Sequence, residues 1–266
     1  MVWTDEDPVE ITQKRLHQVQ INARIGWAFA AAMRAFLRAD PDVIMIGEMR
    51  DEETARIAIE ASLTGHLVMS TLHTNSAAES ITRLLEIGMD PFTFSDSLLA
   101  ILAQRLVRRL CTECRIKERL HGVELEHLAD IYVKSCGNAS MDRWALIAHW
   151  KMMHGDSDGQ LWQYRRNGCE KCDGTGYHGR LGLHEFLMAD EHLRERIRCR
   201  TPALDIIAFA GAAHHTVLSE VHCRAPAQDI GALGQAASMI TLRQDGIEKM
   251  LAGLTDLSEV IAATNQ

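Results

Sequence analysis

The sequence predicts an α/β fold: a parallel sheet with helices, followed by a small cysteine-bearing region and a helical carboxy-terminal part. Three observations carry this. Helical and strand patterns alternate over residues 21–85 in the order helix, strand, helix, strand, helix, the arrangement that builds a parallel sheet. Two C-x-x-C pairs, Cys111/Cys114 and Cys169/Cys172, mark a second region. Beyond Glu185 the apolar spacing is helical again.

The first helix is predicted over most of Ile21 to Arg38, where Ile21, Ile25, Ala28, Ala32, Ala35 and Phe36 recur at helical spacing. Asp40-Pro41-Asp42 stops it, because proline disfavours helix in the residue before it. The unbroken apolar run Val43 to Ile46 then suits a strand buried on both faces. Asp51 fits an N-cap, with Glu52 and Glu53 in the first turn of a helix reaching Leu63. Thr64-Gly65-His66 turns the chain into a second apolar run, Leu67 to Leu72. Ser76 is placed to cap a helix that puts Ile81, Leu84 and Leu85 on one face. A further helix is predicted from about Phe94 to Leu110, ending in Arg105, Arg108 and Arg109.

Between the cysteine pairs the pattern is irregular, although Trp144, Trp150 and Trp162 fall there. Near the end, Gly246 to Leu251 reads as a helix stopped by Gly253, with Thr255 capping Leu257 to Ala263. The stretch Cys199 to Ile206 recurs as Cys223 to Ile230, which reads as a duplicated helix start with Pro202 and Pro226 near the first turn.

Composition sets limits. The chain has 266 residues, 47% of them hydrophobic, enough for one large or two ordinary cores. A net charge of -8 argues against a general grip on nucleic acid, for which only Arg105, Arg108, Arg109 and Arg115 speak. No apolar stretch approaches the ~18 residues of a membrane span. The acidic opening from Met1 to Glu10 has no signal-peptide layout, so a cytoplasmic chain is expected. Seven cysteines, four of them in C-x-x-C pairs, favour metal over a disulfide framework in such a compartment.

Four thiolates are the ligand set of a closed tetrahedral structural Zn²⁺ site; a redox pair or an iron–sulfur cluster are the alternatives. The 54 residues from Arg115 to Gly168 exceed the usual spacing of zinc modules. Loop closure costs only ~0.6 kcal/mol per doubling of length, small against the ~10 to 16 kcal/mol of structural zinc binding. Cys136, Cys199 and Cys223 read as buried or loop thiols rather than ligands, with Cys136 a competitor inside the insert.

In an open parallel sheet ligands collect beyond the carboxyl ends of the strands, where Gly47, Glu48, Met49, Arg50 and Asp51 fall. Hydrolysis of a nucleoside triphosphate needs a carboxylate there, to orient water or hold Mg²⁺. Taken singly, Glu48 is equally a solvated acid after a strand, and His66 and His73 ordinary loop histidines.

Their joint order is more specific. Glu6-Asp7-Pro8-Val9-Glu10, then Asp40 to Asp51, then Thr64 to Asn75 resemble the Asp box, Walker B box and His box of the secretion-ATPase superfamily. That family powers type II secretion and type IV pilus assembly. The resemblance continues through Leu102 to Cys111, Gly174 to Glu185 and Leu242 to Met250. It implies a RecA-like P-loop NTPase core over 1–108, a tetracysteine zinc-binding subdomain with a long insert over 109–186, and a helical region over 187–266. It further implies Glu48 as the Walker B glutamate and Glu6 and Glu10 as Asp-box acids near Mg²⁺ or water. His66 and His73 become the phosphate-sensing His box, and Asp7 and Arg50 stand on the nucleotide side. The cysteine-bearing members are secretion and pilus-extension motors, which bind ATP with Mg²⁺, form homo-hexamers and drive an inner-membrane platform protein from its cytoplasmic face.

The family grips ATP with a Walker A loop ahead of the Asp box, yet no G-x-x-x-x-G-K-[ST] occurs in this sequence. The glycines from Gly174 to Gly179 lack the following lysine and read as turns of the cysteine region. The expectation is therefore an incomplete RecA-like core: a gene fragment, a miscalled start or a piece of a longer motor, inactive alone. A different class of reading is a non-catalytic zinc-containing module that docks on the secretion or pilus platform.

Overall fold

The computed structural model describes residues 1–136, 141–211 and 239–265. Cys223, Pro226 and the second copy of the short repeat lie outside the described residues. The chain forms two units interleaved along the sequence. The first holds Met1–Thr74, Glu79–Leu99 and Arg194–Thr201; the second holds Asn75–Ala78, Ala100–Leu193 and Pro202–Gln266.

In the first unit, β1 (Val2–Glu6), β2 (Leu16–Gln20), β3 (Val43–Ile46) and β4 (Leu67–Ser70) form a sheet in the order β2-β1-β3-β4. Every pairing is parallel, as the alternation of elements predicted. Asp5 stands level with Ile46, and Ile46 with Ser70, so the three strands end along one edge. Helices α1 (Phe29–Phe36) and α2 (Glu52–Leu63) cover one face. Met33, Phe36, Ile57 and Ala58 pack there on Ile44 and Ile46. Asp51 caps α2 by accepting from the Thr54 N–H at 2.8 Å.

Two expectations are corrected in this unit. The segment 43–46 is buried on one face only: Ile44 and Ile46 are fully buried, whereas Met45 is 38% exposed. The helix expected from Ile21 begins at Phe29. Before it, the Ile21 N–H donates to the Glu6 carbonyl, and Asn22 and Trp27 bridge around a turn closed by Gly26 at φ 76°. A left-handed glycine and two main-chain bonds to non-helical partners outweigh the apolar spacing.

The helix expected over Phe94 to Leu110 is two elements. After α3 (Ala77–Glu86), helix α4 (Pro91–Ser97) is capped by Asp90, and Ala100–Leu110 is strand β5. In the second unit β5 pairs antiparallel with β8 (Tyr177–Met188), and its exposure alternates residue by residue up to Val107. Leu102 and Leu106 point outward at 57% and 56% exposure. Apolar residues on both faces hid the period of two, and the partner strand lies too far along the chain for a local pattern to reveal.

The described residues between the cysteine pairs form regular elements rather than an irregular stretch. Strands β6 (Ile116–Arg119) and β7 (Trp162–Arg165) pair antiparallel around two helices, α5 (Gly122–Ser135) and α6 (Arg143–His154). Trp150 is fully buried, edge-on to Tyr132, and donates its Nε1–H to Glu248 at 2.7 Å. Helix α7 (Glu191–Arg198) and a helical segment 203–211 follow, the latter starting after Pro202 as expected. In α8 (Leu242–Leu251), Thr241 and Gln244 cap the start reciprocally. Gly253 turns the chain at φ 75°, as its position predicted. The cap of α9 (Leu257–Thr264) is Asp256, which accepts from the Glu259 N–H; Thr255 is instead buried and donates to the Arg108 carbonyl at 2.9 Å.

Candidate functional site

The carboxyl edge of the parallel sheet gathers three of the expected residues. Glu48 follows β3, and its side chain is 13% exposed. Its Oε2 accepts from Arg50 Nε at 2.7 Å and lies 3.1 Å from His73 Nε2. Arg50 and His73 are themselves mostly exposed, at 71% and 81%. The carboxylate is thus shielded and held by two solvent-facing nitrogens. Met49 N–H donates to the Thr71 carbonyl at 3.2 Å, and Thr71 Oγ1 donates back to the Gly47 carbonyl, so the segments after β3 and β4 are tied together.

Glu6 ends β1 on the same edge, and its Oε1 accepts from Thr4 Oγ1 at 2.7 Å and Gln18 Nε2 at 2.9 Å. Asp7 and Glu10 are exposed in the segment after β1. His66 is not brought to Glu48. It sits at the amino end of β4, where Nδ1 lies 3.0 Å from the Ala61 carbonyl near the end of α2.

One residue at this edge carried no expectation. Asp5 is completely buried, its Oδ1 accepts from the Gly47 N–H at 3.1 Å, and its Oδ2 has no hydrogen-bond partner. The same N–H also donates to the Asp5 carbonyl at 2.8 Å. A side chain at position 47 would meet that carbonyl at 2.9 Å and the Phe29 ring at 3.3 Å, which explains the glycine.

The second candidate site is a cysteine cluster. The Sγ atoms of Cys111, Cys114, Cys169 and Cys172 all lie within 4.8 Å of one another. Measured pairs are Cys111–Cys169 at 3.9 Å, Cys114–Cys172 at 3.8 Å and Cys169–Cys172 at 3.7 Å. None is a disulfide. Four sulfurs at ~2.3 Å from a tetrahedral cation stand about 3.8 Å apart, which the three measured separations match. The sequence builds the knuckle locally. Cys172 N–H and Gly174 N–H return to the Cys169 carbonyl, Asp173 and Gly174 take left-handed conformations, and Gly176 N–H donates to Cys172 Sγ at 3.2 Å. Burial opposes ionisation of Cys172, yet the N–H groups of Cys169 and Gly176, together with the Cys169 and Cys114 sulfurs, outweigh it and bring the thiol down to about 7. Burial and the three neighbouring sulfurs push Cys114 up to about 12. A cation among them would favour all four thiolates. Cys136 is buried and donates to the Val133 carbonyl, and Cys199 is exposed; neither joins the cluster.

Comparison with known proteins decides the family. A family model described as type II/IV secretion system protein matches residues 1–237. The chain belongs to this family. It is 41% identical over 265 residues to the type II secretion system protein E of Aeromonas hydrophila, covering all of this chain and 43% of that protein. It is 40% identical over 261 residues to the type IV pilus assembly ATPase PilB of Thermus thermophilus, covering 98% and 24%. The chain therefore spans less than half the length of these relatives. Among solved structures, the pilus retraction motor PilT with bound ADP superposes with a TM-score of 0.52 at 23% identity, over all of this chain and 52% of PilT. The Yersinia pseudotuberculosis ATPase DotB superposes at 0.53 with 18% identity, over 99% and 49%. These two likenesses establish the fold. No helix among the described residues is long and apolar enough to cross a membrane.

In this secretion-system chain, burial pushes the Asp5 carboxyl up to about 7, and the nearby Glu6 charge adds to the rise against the opposing Gly47 N–H bond. From about pH 4 to 7 the folded chain keeps a proton that the unfolded chain has released, so stability falls as pH rises through this window and stays low above it. At about 1.4 kcal/mol per pH unit, the loss amounts to at most about 4 kcal/mol. Asp5→Asn is expected to abolish this slope and to be the more stable protein at pH 8. Urea unfolding at pH 5 and pH 8 measures it; equal slopes in the two proteins contradict a buried neutral carboxyl.

Proposed function

We propose that this chain supplies the Walker B and His-box half of a motor that hydrolyses ATP to drive type II secretion or type IV pilus assembly. The observation that supports it is the shielded Glu48 carboxylate, held by Arg50 and His73 at the carboxyl edge of a parallel sheet. A carboxylate so placed orients a water for attack and accepts its proton, while the two nitrogens fix its direction. Glu6 is the second acid of the group, aligned by Thr4 and Gln18. Asp7 and Glu10 serve the Mg²⁺ side from the segment after β1. Arg50 and His73 face where a terminal phosphate would lie, and His66 stands apart from this group.

ATP with Mg²⁺ would supply the phosphoryl group and the cation that neutralises it. The residues present fit only the water side. The backbone donors, lysine and hydroxyl of a phosphate loop are not in this sequence. The chain alone is therefore inactive in this reading. The complete motor is a homo-hexamer at the cytoplasmic face of the inner membrane, acting on a platform protein. The cysteine cluster holds a structural Zn²⁺.

Fluorescent-ATP binding tests the division of labour. Chain 1–266 is expected to show no saturable binding below about 1 mM. The same chain joined behind a strand–loop–helix segment bearing G-x-x-x-x-G-K-[ST] is expected to bind with a Kd near 10 µM, about 3 kcal/mol tighter. Tight binding by 1–266 alone, or none by the joined chain, contradicts the reading.

A further inference from the structure

We propose that Asp5 is a positioning residue for Glu48, its carboxyl group clamping the Gly47 N–H and thereby fixing the Ile46–Gly47 peptide that leads into Glu48. The inference rests on the role of Glu48 proposed above, while its geometric part stands by itself. Asp5 and Ile46 are level neighbours on parallel strands, so the Asp5 side chain shares the covered face with Ile46. There it reaches one residue further to Gly47, the last position before Glu48.

The two peptides that flank Gly47 are each held by hydrogen bonds. Its N–H is shared between the Asp5 carbonyl at 2.8 Å and Asp5 Oδ1 at 3.1 Å, and its carbonyl accepts from Thr71 Oγ1. The absent side chain lets the Asp5 carbonyl and the Phe29 ring close on it. The two bonds divide the work. The main-chain bond continues the sheet by one rung, whereas the bond to the Asp5 carboxyl comes from the helix-covered face and opposes rotation of the Ile46–Gly47 peptide about the strand axis. That rotation swings the Glu48 carboxylate away from His73 and Arg50. An apolar residue at position 5 preserves the rung and loses the brace, so the sheet does not require a carboxylate here. The cost of keeping one is plain: Asp5 Oδ2 is buried without a hydrogen bond. A buried polar atom of this kind is expensive to retain.

The group is distinct from the acids singled out by sequence. Glu6, one residue on, projects to the opposite face with Thr4 and Gln18, as strand alternation requires. The Asp5 side chain is hydrogen-bonded to Gly47 and to neither Arg50 nor His73, so it acts on Glu48 through Gly47.

Nuclear magnetic resonance on the full chain tests the clamp directly. Coupling across the hydrogen bond from the Gly47 nitrogen is expected to both the Asp5 carbonyl and the Asp5 side-chain carbon; coupling to the carbonyl alone overturns the proposal. Asp5→Val is expected to speed Gly47 amide exchange by about 10-fold, a loss of roughly 1.4 kcal/mol in local protection. Asp5→Asn, which keeps an acceptor at the same place, is expected to restore the slower exchange. Unchanged Gly47 exchange in a folded Asp5→Val chain overturns the proposal, and should that variant not fold, the coupling measurement decides alone.

The joined chain bearing a phosphate loop adds a functional reading. There Asp5→Val is expected to lower kcat about 10-fold or more with KM for ATP within about twofold, and Asp5→Asn to recover most of it. An unchanged kcat in Asp5→Val overturns the positioning role. If the joined chain hydrolyses nothing with Asp5 intact, the proposed function fails instead, and the clamp is judged on the coupling and exchange data.

Discussion

Cys169→Ser is expected to remove bound zinc and the folded signal of the second unit together. The four sulfurs already stand at the spacing of a tetrahedral site, and three of their separations, 3.7 to 3.9 Å, bracket the ideal. Structural zinc contributes ~10 to 16 kcal/mol of binding free energy, comparable to the whole ~5 to 15 kcal/mol stability of a domain. A serine in place of one thiolate leaves three ligands and a weak oxygen. The bond from Cys111 N–H to the Gly176 carbonyl at 2.9 Å and the Lys171–Glu113 ion pair also link the two knuckles. The ion pair joins two side chains more than half exposed, so solvent screening leaves it a small contribution. Neither replaces the cation. Metal analysis of the parent chain is expected to give one zinc per chain, and chelation to lower the thermal midpoint. A variant with unchanged metal and melting contradicts the assignment.

Glu48→Gln, made in the chain joined to a phosphate loop, is expected to lower kcat by about 10² to 10³ with little change in KM for ATP. The amide keeps the shape and loses the charge that accepts a proton and pairs with Arg50 and His73. Because those partners face solvent, the change should cost little stability. Parallel kcat and thermal-midpoint measurements separate the two effects. A decrease of less than about fivefold removes Glu48 from the chemistry.

Much of the sheet was legible because its signals are local. The run Val43 to Ile46, the Asp51 cap and the Gly65 turn each fall where expected, since a buried strand, a capping carboxylate and a left-handed glycine are short-range requirements. The cysteine cluster was legible for a different reason: the chemistry of four thiolates survives any fold of the intervening chain. Strand β5 was not legible. Leu102 and Leu106 put apolar side chains on its exposed face, so both helical and strand periods fit, and only pairing with β8 decides. The helices between the cysteine pairs were hidden likewise, because Val123, Trp144 and Met152 are apolar and exposed.

The candidate site was legible as an ordered set of boxes and less so as geometry. His66 and His73 occur in one motif, yet β4 lies between them and advances the chain about 13 Å. Only His73 reaches Glu48. Asp5 escaped notice because its neighbour Glu6 belongs to the recognisable motif, while burial of a carboxylate inside a strand leaves no mark in the sequence. The signal available was the run Asp5-Glu6-Asp7, in which strand alternation sends the first acid to the face that α1 covers.

The most direct test of the account is steady-state ATP turnover by purified chain 1–266 beside the same chain joined to a phosphate-loop segment. The account predicts background turnover by the first and Glu48-dependent hydrolysis by the second. Robust hydrolysis by residues 1–266 alone would contradict it.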